Sequence, residues 1–224
     1  MNLQRAKQLW RTSRAVCFDV DSTVVTEEGI DVLAEACGAG PAVAEWTRKA
    51  MGGSVPFHVA LEARLNLFKP SRHDVEDCLR KHPLRLTPGM PELMKKLHNG
   101  GKHVYLVSGG FRQMIHPVAK VLDSPLERVY ANNLLFDEAT GKYVGFDVAE
   151  PTSRAGGKGV VVGMLKEKFG YDPIIMVGDG ATDMEARPPA SAFVGFGGIV
   201  VREAVKKGSD WYAMDVQELL DELD

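Results

Sequence analysis

Short runs of apolar residues, each followed directly by small or acidic residues, recur along the chain. The first run precedes Asp19, and later runs end before Ser108, Gly178 and Gly195. Short apolar runs bounded by turn-forming residues are typical of buried β-strands. The pattern therefore predicts strands at 15–18, 104–107, 174–177 and 192–194.

Between these runs, apolar residues recur at intervals of three and four, which is the spacing of an amphipathic helix. This spacing predicts helices over 88–99, 112–122 and 158–169. Alternating strands and helices are typical of a parallel sheet. We therefore predict an α/β fold with a Rossmann-like parallel sheet core, in which ligands bind at the carboxyl ends of the strands.

Two segments do not fit this alternation and predict insertions. Helical spacing without a convincing strand predicts a helical cap over 26–85, inserted after the first strand. Two β-prone runs around a glycine-containing turn predict a small β-hairpin within 133–147. The α/β core then comprises 1–25 and 86–224.

The composition narrows the class of protein. Of the 224 residues, 45% are hydrophobic and 25% are charged, which is typical of a soluble globular protein. The 27 Lys and Arg against 30 Asp and Glu give a net charge of −3, so no overall positive field attracts nucleic acid or an anionic membrane. The longest apolar stretch, 192–201, falls well short of the roughly 20 residues of a membrane-spanning helix. We expect neither nucleic acid nor membrane as a partner.

The cysteines bear on the compartment. Cys17, Cys37 and Cys78 are an odd number without CxxC spacing, so they predict reduced thiols and a cytoplasmic location. The basic, acid-free N-terminal segment also resembles a transit peptide. An organelle such as a plastid is the alternative, if a presequence has been removed.

Asp19 and Asp21 are the first residues that indicate chemistry. They lie two positions apart where a strand ends, so an extended backbone would direct both carboxylates toward the same edge of the sheet. One carboxylate can then act as a nucleophile while the other donates and accepts protons. A plain strand-end turn is the alternative interpretation, because Asp, Ser and Thr all favour turns.

The segment Gly178-Asp179-Gly180-Ala181-Thr182-Asp183 brings more acidic side chains to another strand end. Carboxylates of Asp19 and Asp179, with a main-chain carbonyl near Asp21, are oxygen ligands suited to Mg²⁺. A calcium-binding loop is the alternative interpretation of this segment, but the final Glu of an EF-hand is missing from its spacing.

Two further segments offer groups that can bind phosphate. Ser108-Gly109-Gly110 lies between a predicted strand and a predicted helix, where a hydroxyl and main-chain amides can hold phosphate oxygens. Lys158 opens another predicted helix and can offset crowded negative charge. A tight turn and a solvated lysine are the corresponding alternatives.

The four motifs, at Asp19, Ser108, Lys158 and Asp179, follow one another along the chain on a single predicted sheet. In their order, spacing and flanking residues they closely resemble the motifs of the haloacid dehalogenase superfamily of aspartate-nucleophile phosphotransferases. The resemblance covers essentially the whole chain, and within the superfamily it is to the phosphatases that act on O-phospho-L-serine. It rests on FDVDSTVVTEEGID, MGGSVPF, LTPG, SGGFR, GGKG and GDGATDMEA.

The resemblance implies a role for each core position. Asp19 would form an aspartyl-phosphate, and Asp21 would protonate the leaving oxygen and then activate water. A Mg²⁺ ion would be bound by Asp19, the Asp21 carbonyl and Asp179, with Asp183 holding these ligands in place. The remaining residues would stabilise the phosphoryl oxygens: Ser108, Gly109, Gly110 and Lys158.

The resemblance also implies a substrate and its contacts. Glu28 would recognise the ammonium group of O-phospho-L-serine, and Arg64 its carboxylate, for which an arginine offers two-point contact. Met51, Gly52 and Thr182 match positions near the serine moiety. The implied reaction is hydrolysis to L-serine and phosphate, the last step of L-serine biosynthesis, by an enzyme that can be a homodimer.

Two other functions fit parts of the pattern. A capped phosphatase for another small phosphomonoester would share the core motifs. A receiver-like signalling domain also places a phosphorylatable aspartate, a hydroxyl and a lysine on a parallel sheet. A proton shuttle at Asp21 and an inserted cap of roughly 60 residues argue against the receiver, which needs neither.

Overall fold

The computed structural model describes residues 1–51 and 55–223. Within these residues, six strands form one parallel sheet: β1 (Ala15–Phe18), β2 (His103–Phe111), β3 (Val129–Asn132), β6 (Ile174–Gly178), β7 (Ala192–Phe196) and β8 (Trp211–Ala213). Their order across the sheet is β3-β2-β1-β6-β7-β8, and two more strands form an antiparallel hairpin. The hairpin consists of β4 (Leu134–Phe136) and β5 (Tyr143–Phe146).

The helices flank the sheet and fill the segment between β1 and β2. Those outside that segment are α1 (Leu3–Thr12), α6 (Met90–Asn99), α7 (Arg112–Val121), α8 (Gly157–Phe169), α9 (Ala181–Met184), α10 (Glu203–Gly208) and α11 (Val216–Asp221). Within it lie α2 (Gly29–Ala36), α3 (Gly40–Met51), α4 (Phe57–Phe68) and α5 (Arg72–Lys81). Among the described residues, no helix combines the length and the apolarity needed to span a membrane.

Alternation along the strands explains why helices cover both faces of the sheet. In β1, Val16 and Phe18 belong to one buried apolar cluster, and Ala15 and Cys17 belong to another. The first cluster includes residues of α1, α6, α7 and α11, and the second includes residues of α8 and α10. A sheet buried on both faces in this way is typical of parallel α/β folds. The predicted fold class is therefore confirmed.

A third apolar cluster lies among the helices between β1 and β2. It contains Leu33, Leu61 and Val75 from these helices and is completed by Phe111 and Met114 from the sheet side. The two ends of the segment meet in an antiparallel bridge between Val25 and Leu86. This bridge supports a cap boundary at 26–85, although the division into core and cap stays a prediction.

The strand β2 differs from its predicted extent. The sequence predicted that it ends at 107, but it continues to Phe111 through Ser108-Gly109-Gly110. Its pairing with β3 shifts between Val107 and Phe111, which is where the glycines lie. Ser108, Gly109 and Gly110 therefore lie in an irregular strand end rather than at the first residues of a helix.

Candidate active site

Three carboxylates meet at the carboxyl edge of the sheet. Asp19 directly follows β1 and continues its pairing, because its main-chain N–H donates to the Val177 carbonyl at 2.8 Å. Asp179 directly follows the neighbouring strand β6. Carboxylate oxygens of Asp19, Asp179 and Asp183 all lie within 4.8 Å of one another, and all three residues are buried. Parallel strands explain the meeting, since their carboxyl ends share one edge.

Lys158 supplies positive charge to this cluster. It lies in the first turn of α8, and its Nζ is 2.7 Å from Asp19 and 2.6 Å from Asp183. Burial acts to lower the pKa of Lys158, but the charges of Asp183 and Asp19 outweigh it and raise the pKa above its ordinary value. A protonated lysine therefore lies directly beside the Asp19 carboxylate.

The negative charge of the three clustered carboxylates is still larger than the positive charge that Lys158 supplies. Burial, followed by the charge of Asp19, raises the pKa of Asp179 to about 7. Burial likewise raises the pKa of Asp183 well above its usual range, and the neighbouring charge of Asp19 adds to this effect. A hard divalent cation would favour the ionised form of each group, and clustered carboxylate oxygens are the donors that Mg²⁺ and Ca²⁺ prefer. The donor set therefore fits a metal ion.

Asp21 lies at the edge of the cavity, beside this cluster. Its Oδ1 accepts a hydrogen bond from the Gly29 amide at 2.9 Å. Burial, together with the charges of Glu28 and Asp19, raises the pKa of Asp21 well above its usual range. Its other oxygen faces the sheet, because a Cβ built on Gly110 would lie 2.8 Å from Oδ2. The two aspartates of the DxD motif therefore differ in their contacts, as separate roles require.

The Gly109–Gly110 peptide is held at both ends. The Gly110 amide donates to Ser108 Oγ at 3.0 Å, and the Gly109 carbonyl accepts from Asn132 Nδ2 at 2.8 Å. Ser108 is completely buried. A Cβ on Gly109 would lie 2.8 Å from the Phe57 ring, so a side chain at this position would collide with α4. The glycines therefore allow the cap helix and Asp21 to approach this strand closely.

A cavity of about 350 Å³ adjoins Asp19, Asp21, Lys158 and Asp179, together with Gly109 and Gly110. Its floor is the carboxyl edge of the sheet, and its other wall is formed by residues of α2, α3 and α4. The predicted site residues that line it are Asp19, Asp21, Glu28, Arg64, Gly109, Gly110, Lys158, Asp179 and Thr182. Nine positions predicted from separate segments therefore meet in one enclosure.

Comparison with known proteins identifies the family. Residues 13–188 match the family model described as a hydrolase, haloacid dehalogenase-like hydrolase. The chain belongs to this family.

Two curated relatives are similar over most of their length. The chloroplastic phosphoserine phosphatase of Arabidopsis thaliana is 56% identical over 218 residues, covering 96% of this chain and 74% of the relative. The phosphoserine phosphatase of Rattus norvegicus is 54% identical, covering 97% of this chain and 96% of the relative.

Solved structures share the fold of this hydrolase. DsGPDH of Dunaliella salina has a TM-score of 0.87 and 33% identity, and the match covers 98% of this chain but only 37% of that longer chain. A phospho-aspartyl intermediate analogue of phosphoserine phosphatase has a TM-score of 0.82 and 27% identity, covering 94% of this chain and 99% of that chain.

Glu28 and Arg64, the predicted substrate contacts of the hydrolase, are held by different partners. Glu28 Oε1 accepts a hydrogen bond from Ser22 Oγ at 2.8 Å. Burial raises the pKa of Glu28, against this hydrogen bond, which lowers it. Arg64 is only 6% exposed, and its Nε donates to the Ala60 carbonyl at 3.1 Å. A carboxylate and a guanidinium group are therefore both available at the cavity.

Four predicted positions do not line this cavity as described. Ser108 lies behind Gly110, with its hydroxyl engaged by the Gly110 amide. Asp183 contacts Lys158 and the Gly180 amide. Met51 ends α3, but its side chain lies outside the described part of the structure, and Gly52 lies outside the described residues altogether.

The structure adds residues that the sequence did not predict. Arg202 lines the cavity, with Nε and Nη2 each 2.9 Å from Asp179 Oδ2 and Nη2 3.8 Å from Glu28. Phe57 and Thr47 line it from the cap helices. Asn132 supports the Gly109 carbonyl from β3. Phe57 ends the MGGSVPF string, but no role was predicted for it. None of the quoted strings contains Thr47, Asn132 or Arg202, which reach the site only through the tertiary fold.

Proposed function

We propose that this hydrolase converts O-phospho-L-serine and water to L-serine and phosphate, the last step of L-serine biosynthesis. The observation that carries the proposal is a single cavity that joins the Asp19 and Lys158 cluster to Glu28 and Arg64. Phosphoserine presents a phosphate, an ammonium and a carboxylate, and the cavity offers groups of complementary charge to each. The names of the relatives support the same substrate.

Asp19 is the proposed nucleophile of the first step. Its carboxylate oxygen forms a bond to phosphorus while the bond between phosphorus and the serine oxygen breaks. Asp21 donates its proton to that departing oxygen. The step releases L-serine and leaves an aspartyl-phosphate on Asp19.

The second step reverses the role of Asp21. Its carboxylate accepts a proton from water, and the water oxygen attacks phosphorus as the bond to the Asp19 oxygen breaks. Phosphate leaves, Asp19 is again a carboxylate, and Asp21 is again protonated. The contact between the Gly29 amide and Asp21 holds this side chain beside Asp19 throughout both steps.

Fixed positive and polar groups would stabilise the charge on the transferring phosphoryl group. Lys158 already lies 2.7 Å from Asp19, and Gly109 and Gly110 line the same floor of the cavity. In this proposal Ser108 acts with them. Mg²⁺ bound by the carboxylates of Asp19 and Asp179 and the carbonyl of Asp21, with Asp183 behind them, would supply further positive charge at the phosphoryl group.

The cap residues would select the amino acid. Glu28 would pair with the ammonium of the substrate, and Arg64 with its carboxylate. Thr182 lines the cavity from the core and would contact the serine moiety. The roles of Met51 and Gly52 near this moiety rest on the sequence resemblance alone.

Phosphate release from a panel of esters tests the proposal. The panel contains L-phosphoserine, L-phosphothreonine, phosphoethanolamine and a sugar phosphate, each with Mg²⁺ and with excess chelator. We expect fast turnover of L-phosphoserine that the chelator abolishes. Asp19→Asn should reduce this rate by at least about 10³-fold because an amide is a poor nucleophile. Asp215→Asn, at an exposed helix cap, is the matched control and should leave the rate unchanged.

The outcomes separate the alternatives. Preference for another ester would preserve the Asp19 chemistry and contradict the substrate. Activity of Asp19→Asn within about tenfold of the parent would contradict the nucleophile. A lasting phosphoenzyme without turnover of any ester would favour a receiver-like domain.

For the compartment we propose the cytoplasm, supported by the free thiols of Cys17, Cys37 and Cys78. A plastid is the alternative, supported by the chloroplastic relative. Imaging of a fluorescent fusion of the complete coding sequence distinguishes the two. A homodimer predicts a mass in solution of about twice 24.5 kDa, which light scattering measures.

A further inference from the structure

The guanidinium group of Arg64 is held by two acceptors. Nε donates to the carbonyl of Ala60, four residues earlier in the same helix, at 3.1 Å. Nη1 donates to Thr47 Oγ1 on α3 at 3.3 Å. Among the described residues, Thr47 is the only side chain outside α4 that hydrogen-bonds to this group. The plane of the guanidinium is therefore held by Ala60 from within α4 and by Thr47 from outside it.

Thr47 is itself oriented by a third helix. Its hydroxyl donates to Asp31 Oδ1 on α2 at 2.9 Å, and Thr47 is only 6% exposed. A hydroxyl has one hydrogen and two lone pairs. Donation to Asp31 turns the oxygen lone pairs toward Arg64. Asp31, Thr47 and Arg64 thus form a directed chain across α2, α3 and α4.

This series of hydrogen bonds leaves the Arg64 guanidinium charged, and some of its N–H groups can still bind a ligand. Burial lowers the pKa of Arg64, but the charge of Asp31 is first among those that oppose the effect. Within the described part of the chain, no carboxylate forms an ion pair with Arg64, which lines the cavity. Two of its five N–H groups are used by Ala60 and Thr47, so the other three have no partner among the described residues and can serve a ligand.

We propose that Thr47, oriented by Asp31, is a positioning residue that fixes Arg64 for two-point contact with the substrate carboxylate. Thr47 thereby sets the preference for a phosphoester that carries a carboxylate over one that lacks it. This inference rests on the proposed function, because it takes Arg64 as the carboxylate contact. Two-point contact requires a defined guanidinium plane, which a free rotation about the side chain would not maintain.

Steady-state kinetics on two substrates test the inference. L-Phosphoserine and phosphoethanolamine both carry the phosphate and the ammonium, and only the first carries the carboxylate. For Thr47→Val we expect KM for L-phosphoserine to rise about tenfold, with a smaller change in kcat. KM for phosphoethanolamine should stay within about twofold of the parent value. Thr47→Ser keeps the hydroxyl and should restore most of the preference.

Ser13→Ala is the matched control. Ser13 is also a buried hydroxyl that donates to an oxygen, the Trp10 carbonyl at 2.8 Å, and accepts from a cation, Lys102 Nζ at 3.3 Å. It lies beyond the amino end of β1, opposite the carboxyl edge that carries Asp19. We expect parental KM values for both substrates. If Thr47→Val fails to fold, Thr47→Ala removes the same hydroxyl without a methyl against charged partners, and the same selectivity loss is expected.

Each result decides the question. An unchanged KM for L-phosphoserine in both Thr47→Val and Thr47→Ala overturns the positioning role. Equal losses on both substrates also overturn it, because Thr47 would then act on phosphate binding or on the cap as a whole. If the parent enzyme shows no preference for L-phosphoserine, the proposed function fails first and this inference fails with it.

Discussion

Arg202 is a cation that, like Lys158, lies among the carboxylates of the site. Its guanidinium is 2.9 Å from Asp179 and 3.8 Å from Glu28, and it lines the cavity. Arg202 lowers the pKa of both acids against the effect of burial. It therefore limits the negative potential that an incoming phosphate dianion would meet.

We predict that Arg202→Gln lowers kcat/KM about 10- to 100-fold for every phosphomonoester, because a charge-assisted contact is lost at the shared phosphate end of the cavity. Arg202→Lys should recover part of the loss, since lysine keeps the charge without the planar fork. Rates on L-phosphoserine and phosphoethanolamine measure the effect. A loss confined to L-phosphoserine would instead assign Arg202 to the serine moiety.

Arg187→Gln is the control for this prediction. Arg187 Nε also pairs with a buried aspartate, Asp210, at 2.7 Å, but it is absent from the cavity lining. This variant removes the cationic partner of a buried carboxylate away from the cavity. It therefore shows how much of any loss in kcat/KM comes from such unpairing in general and how much comes from the site itself. We expect reduced thermal stability with nearly parental kcat/KM.

At this scale the strand pattern predicts residues that follow strands, and the family resemblance adds Glu28 and Arg64 from the segment between β1 and β2. Residues outside these motifs that reach the site through the tertiary fold were not predicted. Asp19 and Asp179 directly follow β1 and β6, so their meeting follows from parallel pairing alone. Thr47 lies in the middle of α3, where a polar residue is indistinguishable from one on a solvated helix face. Arg202 follows β7 by several residues, and only the path of that loop brings it to Asp179.

At the scale of elements, regular patterns predict best. A capping box at Ser71 and Asp74 begins α5, and Asp215 caps α11, which are start signals that can be read from local sequence. The edge strands β3 and β8 were not predicted because each is short and, unlike the fully buried β1, is interrupted by a half-buried tyrosine, Tyr130 or Tyr212. The end of β2 was also missed, since glycines carry no alternation and are depleted in strands.

Gly109 in β2 makes a sharp test of how the cap meets the core. A Cβ at this position would lie 2.8 Å and 3.1 Å from atoms of the Phe57 ring, at the start of α4. We predict that Gly109→Ala displaces the ring and lowers kcat/KM at least about tenfold, while the fold is retained. Kinetics and circular dichroism on the variant measure both effects.

A compensating change distinguishes the ring contact from a local effect on the strand. Gly109→Ala combined with Phe57→Leu should recover much of the lost activity if the collision is the cause. Activity that stays at the level of the single variant would show that the alanine disturbs the loop itself. Gly163→Ala in α8 is the control: its Cβ would meet Pro189 at 3.5 Å, so we expect parental activity and stabilisation of about 0.5–1 kcal/mol.

At the scale of the whole molecule, the buried charged groups are concentrated at the cavity although the net charge is small. The net charge is only −3, yet four acids gather around Lys158 and Arg202: Asp19, Asp21 and Asp179 line the cavity, and Asp183 lies beside Lys158. Such a cluster is a cost to folding, because burial raises the pKa of three of these acids. The apolar clusters on both sheet faces and in the cap supply the compensating stability. Burial of the acidic cluster thus lowers the stability of the folded protein, and apolar packing in the rest of the molecule offsets this loss.

Two histidines on α6 and α7 make the stability of this frame depend on pH. The Nε2 atoms of His98 and His116 are buried and, among the described residues, have no hydrogen-bond partner. Burial lowers the pKa of both, with help from Arg128 at His98 and from Arg112 and Lys120 at His116. The folded protein therefore resists protonating them, whereas the unfolded chain takes up protons near pH 6.5.

We predict that His98 and His116 favour a lower melting temperature as the pH drops below about 6.5, because the stability that they contribute above the ordinary histidine pKa is lost on approach to the lowered folded value. The raised pKa values of Asp21, Asp179 and Asp183 act in the opposite direction. Relative to the parent, His116→Gln should therefore lose less stability, or gain more, between pH 7.5 and 5.5, since glutamine does not titrate. Melting curves of the parent and the variant measure the difference between them. Contributions from the acidic cluster cancel in that difference, because both proteins carry it. His73→Gln, at an exposed position on α5, is the control and should keep the parental slope. A parental slope in His116→Gln as well would show that His116 does not carry the dependence.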